Sequence, residues 1–424
     1  MKIKTLFVAL LVTFIAVGCS EQKPNITMVE AVKAGNEKVV KYYIKHGEMV
    51  NQKDEEGTPL IILATKRGDI PIINKLIKAG ANVDIKDSKG NTALIEASEK
   101  LYLTDISKIL INAGANFNIK NNKGETPLMR AVLSANIELI KMLIDIGADV
   151  RTKDNFGRTA MNYYNVFIDN AEVVKVLIED GVNVNAKDNN GVTTLMLASM
   201  AGHKETVKTL IEAGANINDT NNNEYNALML ASDNGHTEIV KMLIEAGANV
   251  NQKNNDGYTA LMLASKKGSI EIVKILIKAG ADVNERSSKD IDILSRKKRG
   301  NTALNEAIIR GYIDIVKILI EAGADVNTQD ELNITALMTA ISLGHTEIAK
   351  YLIDCKANIH IKDNVGHTAL YEAVSRGNVE IVKILVKAGS NVNSKDLLEF
   401  SILDEAKRRG NTEIINILKR AGAK

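Results

Sequence analysis

The stretch GYTALMLASKKGSIEIVKILIKAG, residues 257–280, decides the fold, because most of the chain after its first twenty-odd residues is a variation on it. Thr259 is placed to accept a backbone N–H of a first helical turn and so to cap a helix. We therefore predict a short helix over residues 260–265, a turn at Gly268, and a second helix over residues 270–278 that runs back beside the first.

The second predicted helix has an apolar stripe and a glycine just beyond its end. The stripe has helical period and consists of Ile272, Val273, Leu276 and Ile277. Gly280 supplies the left-handed residue that often follows a helix C-terminus. In two other copies, Thr58-Pro59 and Thr126-Pro127, proline directly follows the threonine, where its missing N–H costs nothing. These signals define a helix–turn–helix repeat.

The terminal glycine, or a residue in its place, recurs along the chain. It is found at Gly47, Gly80, Gly114, Gly147, Gly181, Gly214, Gly247, Gly280, Gly323, Lys356, Gly389 and Gly422. The steps between these positions are 33 or 34 residues, except for one step of 43 residues. In such arrays each repeat contacts only its neighbours, so a longer chain has more repeats and does not need more compact domains. The chain therefore holds about twelve repeats.

A period near 33 residues, a Thr-Pro-Leu or Thr-Ala-Leu opening, two short helices and a Gly-Ala-Asp/Asn-Val-Asn exit resemble the ankyrin repeat. The resemblance covers residues 24–424. It implies an all-α fold, an ankyrin-type helical repeat solenoid with short β-hairpin-like turns between repeats. The histidine that usually follows Thr-Pro-Leu in this family is replaced here by Ile, Met, Asn or Tyr, while the threonine cap is kept.

The N-terminus differs from the repeats. Lys2 and Lys4 precede an apolar run over residues 6–17, which is too short to span a bilayer and is typical of an export signal. The sequence Ala-Val-Gly-Cys at residues 16–19 resembles the lipobox of bacterial lipoproteins, in which the cysteine is lipidated and becomes the mature N-terminus. The alternative is a plain signal peptide with an incidental cysteine.

The lipobox resemblance implies a domain plan and a location. We expect a signal peptide at residues 1–18, a lipid on Cys19, a short tether over residues 19–24 and the repeats over residues 25–424. The lipid would hold the exported protein on a bacterial membrane, facing the periplasm or the cell surface.

Charge and cysteine content argue against several kinds of partner. Residues 1–18 hold two lysines and no acidic residue, so removing them leaves 52 basic residues against 52 acidic ones. A neutral body argues against nucleic-acid binding and against broad adhesion to anionic lipid. Cys355 is the only other cysteine and stands where most repeats have alanine. There a packing role is favoured over a reactive thiol.

Several repeats depart from the pattern. The Thr-Pro-Leu of the second repeat comes one residue early, which predicts a local adjustment at residues 61–64. Leu101 and Ala135 replace the glycine between the two helices. In the fifth repeat Tyr164 stands at a small-residue position, so we expect it either to push the neighbouring layers apart or to swing outward. This repeat is the predicted weak point or local kink of the array.

The step of 43 residues contains an insertion at residues 285–299. It lies at a hairpin tip between repeats, where insertions leave the stack intact. Its basic run at residues 296–299 is either a solvated loop tip or a contact for nucleic acid or anionic lipid. Four charges without aromatic neighbours on a neutral body favour the loop tip.

The sequence offers little for catalysis or metal binding. His203, His236 and His345 each follow a turn glycine, which fits either a metal ladder or histidines that hydrogen-bond along the stack. Packed helices lie about 8–10 Å apart, whereas zinc needs several histidine nitrogens at about 2.1 Å, so the hydrogen-bonding role is favoured. No enclosed pair of carboxylates, phosphate-binding glycine loop or Ser/His/Asp arrangement is evident. We predict no catalytic residue, no metal and no cofactor.

Protein binding is better supported. In ankyrin-like proteins, partners usually meet the concave face, made by the hairpin tips and the exposed side of the first helices. By position, this predicted face consists of Arg158, Leu197, Met200, Tyr225, Leu230, Asp233, Tyr258, Leu263, Lys266 and Lys267. Tyr225 and Tyr258 lie in equivalent turns, and aromatic residues beside apolar ones are typical of an interface. The alternative is that neighbouring repeats cover the leucines and that the tyrosines only pack on the turns.

These observations predict a non-catalytic scaffold that is anchored by a lipid on Cys19 and binds a protein partner, with no small-molecule substrate. The alternative is an ankyrin-type effector that is released to act on host-cell proteins. A lipidated cysteine would count against release, because a tethered protein is not free to leave. An enzyme is the least supported class.

Overall fold

A computed structural model describes residues 22–164, 166–287 and 300–424. The predicted signal peptide at residues 1–18, the predicted lipid on Cys19 and the basic run at residues 296–299 lie outside the described residues. So do residues 19–21, half of the predicted tether (19–24), and most of the predicted insertion (285–299).

The described chain is built of short helices in pairs. In residues 22–164 they are α1 (Met28–Ala34), α2 (Glu37–Lys45), α3 (Leu60–Arg67), α4 (Ile70–Lys78), α5 (Ala93–Ser98), α6 (Thr104–Asn112), α7 (Pro127–Leu133) and α8 (Ile137–Asp145), with 3₁₀ helices at Leu101–Leu103 and Ala160–Tyr163.

In the rest of the described chain they are α9 (Ala171–Glu179), α10 (Thr194–Ala201), α11 (Lys204–Glu212), α12 (Ala227–Asn234), α13 (Thr237–Glu245), α14 (Ala260–Lys267), α15 (Ile270–Lys278), α16 (Ala303–Arg310), α17 (Ile313–Glu321), α18 (Ala336–Ser342), α19 (Thr346–Asp354), α20 (Ala369–Ser375), α21 (Val379–Lys387), α22 (Ile402–Arg409) and α23 (Thr412–Arg420). Isolated antiparallel bridges, such as Lys53 with Pro59, mark the hairpin-like turns. The predicted all-α repeat fold is confirmed. No helix in the described ranges is long and apolar enough to cross a membrane.

The stretch at residues 257–280 folds largely as predicted. Thr259 accepts the N–H of Met262 at 3.4 Å and caps α14, which extends two residues past its predicted end. The second helix, α15, has the predicted bounds, and Ile272, Val273 and Leu276 are fully buried on its inner face. Gly280 has the expected positive φ of 87°. The apolar stripe of each second helix is thus buried against its own repeat and its neighbours.

The second repeat has a local adjustment, but it lies at the helix cap and not at the predicted residues 61–64. Thr58 does not cap α3, which begins at Leu60 with Pro59 in the capping position and without a side-chain cap hydrogen bond. Instead, the Thr58 N–H donates to Oδ1 of Asp54 at 2.8 Å, as the Asn91 N–H donates to Asp87 in the next repeat. The early Thr-Pro therefore changes the cap and leaves the buried face of residues 61–64 in register.

The chain divides into two compact units. One contains the chain up to Asn165 together with Glu172–Asn183, and the other contains Val166–Ala171 together with Val184–Lys424. The division falls at the repeat predicted to be the weak point, whose first helix is reduced to the 3₁₀ helix Ala160–Tyr163. Tyr164 is only 5% exposed, which excludes one of the two predicted alternatives, the outward swing of its side chain.

Asparagine side chains join successive turns into a ladder. Oδ1 of Asn251 accepts the N–H of Asp282 at 2.9 Å, and its Nδ2 donates to the Gly280 carbonyl at 3.2 Å. Asn218 and Asn284 make the same pair of hydrogen bonds to the repeats that follow them. The sequence analysis gave these residues no role. They satisfy backbone groups that the helix ends and exit turns would otherwise leave unpaired.

The described ends of the insertion meet at one point of the stack. The Ser287 N–H donates to the Asn301 carbonyl at 2.9 Å, and Nε of Arg286 donates to the Gly300 carbonyl at 3.1 Å. The Arg286 guanidinium also contacts the Gln329 carbonyl of the following repeat. The chain therefore leaves and re-enters the stack at a closed hairpin base.

Two substitutions for turn glycines keep the left-handed backbone. Ala135 has a φ of 55° and Lys356 a φ of 64°. Leu101 differs, because it begins the 3₁₀ helix Leu101–Leu103 instead. A side chain at positive φ is strained, since its Cβ crowds the backbone.

Lys356→Gly is expected to raise the free energy of unfolding by about 0.5–1 kcal/mol, because it relieves left-handed strain at an exposed position. The measurement is urea unfolding followed by far-UV circular dichroism. The matched control is Gly80→Lys at the equivalent position, where φ is 83° and nothing lies within 4 Å of an added Cβ. That control should be destabilised, and a destabilised Lys356→Gly would contradict the prediction.

Candidate functional site

Each first helix follows a turn that an Asp or Asn side chain organises. Oδ1 of Asn254 accepts the N–H groups of Asp256 at 3.0 Å and Tyr258 at 2.8 Å. The Gly257 N–H, at a positive φ of 74°, donates to the Asn254 carbonyl at 2.8 Å. These bonds fix the residue after the glycine at the start of its helix, which is where the predicted face places Arg158, Tyr225 and Tyr258.

Part of the predicted face is accessible. Met200 is 39% exposed, and Lys267 is exposed at the end of α14. Half-buried positions are Arg158, Leu197, Tyr225, Leu230, Asp233, Tyr258 and Lys266. Nine of the ten predicted residues belong to the second compact unit, whereas Arg158 belongs to the first. The fully exposed part of the predicted face is therefore small, and it combines an apolar residue, Met200, with a charged one, Lys267.

Leu263 must be removed from the predicted face, because it is only 2% exposed. Its helix α14 packs against α12 on one side and α16 on the other. The side chain of Tyr258 extends from the turn before α14 to Glu306 on α16. Leu263 is therefore buried, whereas Leu197 and Leu230 keep part of their surface.

Tyr258 packs on its neighbouring repeat. Its hydroxyl donates to Oε1 of Glu306 at 2.8 Å, and Nδ2 of Asn301 donates to the same oxygen at 3.1 Å. The Lys266 ammonium lies 5.7 Å from the centroid of the Tyr258 ring. Burial and the neighbouring Glu306 carboxylate raise the pKa of Tyr258. Of the two interpretations of this tyrosine, the structure favours packing on the turn.

Tyr258→Phe is expected to lower the free energy of unfolding by about 1–2 kcal/mol, because the buried Glu306 carboxylate loses a hydrogen-bond donor. Thermal unfolding of the purified chain measures the change. Tyr102→Phe, which alters a tyrosine that is 74% exposed, is the matched control and should have almost no effect. Equal effects of the two substitutions would contradict the role of the Glu306 contact.

Arg158 is held inside a polar network. Its Nε donates to Oδ2 of Asp154 at 2.8 Å, and its Nη2 lies 2.9 Å from the Tyr163 hydroxyl. The same hydroxyl lies 2.8 Å from Asp154 and 3.1 Å from Glu125. The guanidinium also lies over the Tyr163 ring, 4.4 Å from its centroid. Arg158 is therefore committed to the interior of its repeat.

The network holds its carboxylate charged. Burial by itself would raise the pKa of Asp154, but hydrogen bonds from Tyr163, from the Arg158 side chain and from the backbone outweigh it and lower the pKa. Burial together with the Asp154 hydrogen bond raises the pKa of Tyr163. The arrangement is a charge cluster that stabilises the fifth repeat.

Within the described part of the chain, the predicted face lines neither of two cavities that open beside the first helices. A cavity of about 240 Å³ has an apolar wall of Ile309, Ile334, Met338 and Leu343 with His367 at its edge. The His367 ring stacks on Tyr371 at 3.8 Å, and its nitrogens lie 3.8 Å from the Asp363 and Asp396 carboxylates. The other cavity, in the first compact unit, is about 590 Å³ in volume, and we call it the basic cleft.

The basic cleft has mainly charged and amide side chains. Its cations are Lys66, Lys89, Lys100, Lys123 and Arg130, and its carboxylates are Glu96 and Glu99. This cluster was not predicted from the sequence, although the sequence holds one signal of it. Lys89 and Lys123 both directly precede the turn glycine in successive repeats, so stacking was bound to bring them together.

Among the described residues, no group of three or more His, Cys, Asp or Glu side chains is arranged to hold a metal ion. Nε2 of His236 hydrogen-bonds the Met200 carbonyl at 3.0 Å. The His345 ring lies against Gly311 of the preceding repeat, with Cε1 3.0 Å from where a Cβ would stand. The predicted hydrogen bonding of turn histidines along the stack is confirmed for His236.

The chain resembles known proteins that are built of ankyrin repeats. A family model described as "Ankyrin repeats (3 copies)" matches residues 6–87, 28–121, 61–154, 147–221, 195–287, 254–330 and 327–396. Among solved structures, the human ASB11 ankyrin repeat domain matches with 25% identity and a TM-score of 0.46, over 55% of this chain and 99% of its own. No curated protein matches the chain. The matched family consists generally of non-catalytic interaction modules, and no enzyme family is indicated.

Proposed function

The chain belongs to the ankyrin repeat family, and from that premise we propose that it is a non-catalytic scaffold, anchored to a bacterial membrane by a lipid on Cys19, that holds a protein partner. The observation that carries the proposal is the match of the ankyrin repeat family model to residues 6–396. No enzyme family is indicated. Repeat arrays of this kind use their continuous surfaces for binding.

The anchor rests on the sequence. The apolar run over residues 6–17 and the Ala-Val-Gly-Cys that follows support export and lipidation. One acyl chain gives only marginal membrane binding, whereas two or more anchor a protein stably. The partner would then be met in the periplasm or at the cell surface.

The anchor is tested by metabolic labelling with a radioactive fatty acid. The wild type and Cys355→Ala should both carry label, because Cys355 is half-buried in the folded chain. Cys19→Ala should carry none. An unlabelled wild type, or equal labelling of Cys19→Ala, would sink the lipoprotein proposal.

The binding function is tested by photo-crosslinking from the predicted face in intact cells. A photoreactive phenylalanine at Met200 or Lys267 uses the accessible positions and spares the Tyr258–Glu306 contact. The control carries it at Lys274, which is exposed on the second helix α15. A crosslinked protein that appears from the face and not from Lys274 supports the scaffold. No crosslink, or equal crosslinks from all three sites, counts against the predicted face.

The alternative function is an effector that is released to act on host-cell proteins. Fractionation of the culture separates the two proposals, because a lipidated protein should remain with the membranes. Recovery of unlabelled mature chain in the medium would favour the effector.

A further inference from the structure

More cationic than anionic side chains line the basic cleft. Five cations and two carboxylates line it, an excess of three positive charges. Lys66 lies near the end of α3, while Lys89 and Lys123 lie in the turns before α5 and α7. The cleft thus extends across three successive repeats of one compact unit.

The arginine in the cleft is already neutralised. Nη2 of Arg130 lies 2.7 Å from Oε2 of Glu125, and its Nη1 lies 3.7 Å from Glu99. Nδ2 of Asn91 donates to Glu96 at 3.4 Å. With Glu125 counted beside the two lining carboxylates, five cations face three carboxylates, and an excess of two positive charges remains on the lysines.

The lysines are the unbalanced charges. Within the described part of the chain, Lys66, Lys89 and Lys123 form no ion pair, and all three are exposed. Lys100 lies 5.9 Å from the centroid of the Tyr102 ring. Three exposed ammonium groups around one polar cavity attract negative charge, most strongly at low ionic strength.

A buried donor in the cleft wall also lacks an acceptor. The Arg130 side chain is only 14% exposed, and its buried Nε has no hydrogen-bond partner among the described residues. Buried polar groups in native proteins are nearly always hydrogen-bonded.

We infer that the basic cleft binds an acidic segment of a protein partner, a run of Asp or Glu side chains. This inference rests on the proposed scaffold function and names the chemistry of its partner. A cavity of about 590 Å³ exceeds what one small anion needs, and the lysines are spread over successive repeats, which suits carboxylates along a peptide. Nucleic acid is disfavoured, because no aromatic side chain lines the cleft for base stacking and the chain as a whole is nearly neutral.

The test is fluorescence anisotropy of labelled octaglutamate titrated with the full chain at low salt. The cleft variant combines Lys66→Gln, Lys89→Gln and Lys123→Gln, and it should bind about tenfold more weakly or worse. The control variant combines Lys204→Gln, Lys208→Gln and Lys274→Gln, which removes the same charge from exposed second-helix positions. It should bind like the wild type, and added salt should weaken wild-type binding.

Several outcomes would overturn the inference. They are an absence of octaglutamate binding by the wild type, equal losses in the cleft and control variants, and equal or tighter binding of oligothymidylate. Competition by inorganic phosphate at concentrations comparable to the peptide would also overturn it, since the cleft would then be a simple anion site. Unchanged thermal unfolding of both variants verifies that the substitutions leave the fold intact.

Crosslinking separates this inference from the proposed function. The crosslinker at Met200 is placed in the wild-type chain and in the cleft variant. If both capture the partner equally, the cleft assignment is wrong and the scaffold proposal stands. A partner lost only in the cleft variant supports both. If no partner is captured at all, the scaffold proposal fails, and the octaglutamate titration alone decides whether the cleft binds acidic peptide.

Discussion

Gly124→Ala is expected to lower the free energy of unfolding by about 3 kcal/mol or more, because two penalties coincide at this glycine. Its φ is 81°, a left-handed conformation that strains any residue with a Cβ. An added Cβ would also stand 2.9 Å from the backbone nitrogen of Asn155 and 3.0 Å from Cα of Asp154. The next turn is fixed there by the hydrogen bond from the Asn155 N–H to the Lys123 carbonyl, at 3.0 Å. It cannot move away without losing that bond.

The matched control is Gly147→Ala. Its φ is 92°, but nothing lies within 4 Å of an added Cβ, so only the left-handed strain of about 1–2 kcal/mol applies. Both free energies of unfolding come from urea titrations followed by far-UV circular dichroism. If Gly124→Ala were no more destabilising than Gly147→Ala, the close approach of successive turns would not limit this position.

Arg158→Met is expected to destabilise the chain by about 3 kcal/mol at neutral pH, because it leaves the Asp154 carboxylate buried without its cation. The remaining donors to Asp154 are the Tyr163 hydroxyl and the N–H groups of residues 156 and 158. Scanning calorimetry of the variant and the wild type measures the change. Arg151→Met, which alters an exposed arginine nearby, is the control and should have little effect.

The effect of Arg158→Met should depend on pH. The pKa of Asp154 in the folded chain is below its ordinary value, so its contribution to stability is present above the ordinary pKa of about 3.9. That contribution is lost as the pH falls through the lower folded pKa. The stability difference between wild type and variant should therefore shrink in acid.

Asp154→Asn provides a second check, since Asn121 and Asn254 fill the same turn position in other repeats. In that background, Arg158→Met should have a much smaller effect. An undiminished effect at low pH and in Asp154→Asn would mean that packing of the arginine, and not its charge, stabilises this repeat.

The repeat made most of the fold predictable. A period of 33 or 34 residues placed the second helix of the stretch at 257–280 to the residue, because the turn glycines and capping threonines specify where a helix begins and ends. The asparagine ladder was missed because its partners lie in the following repeat, as Asn251 with Asp282, and the pattern within one repeat does not contain such contacts. The Thr58 cap failed for a local reason, since the Thr58 N–H donates to Asp54 in the same turn.

The candidate site was much less predictable. The face carried over from the family by position includes Met200 and Lys267, which are exposed. It also includes Leu263, which is buried, and Arg158, which is bonded to Asp154. The lysines of the basic cleft look ordinary one at a time. Lys89 and Lys123 come together because they occupy equivalent places in successive repeats, so charge has to be compared between repeats and not only along the chain.

The closed base of the insertion bears on how such a chain gains length. Since Ser287 and Asn301 are hydrogen-bonded to each other, sequence newly inserted between them would change the free energy of folding chiefly through the entropy of loop closure. That term grows by only about 0.6 kcal/mol for each doubling of loop length. New sequence can therefore accumulate at this hairpin over evolutionary time almost without selection on stability, whereas a single residue added inside a helix would shift its buried face out of register.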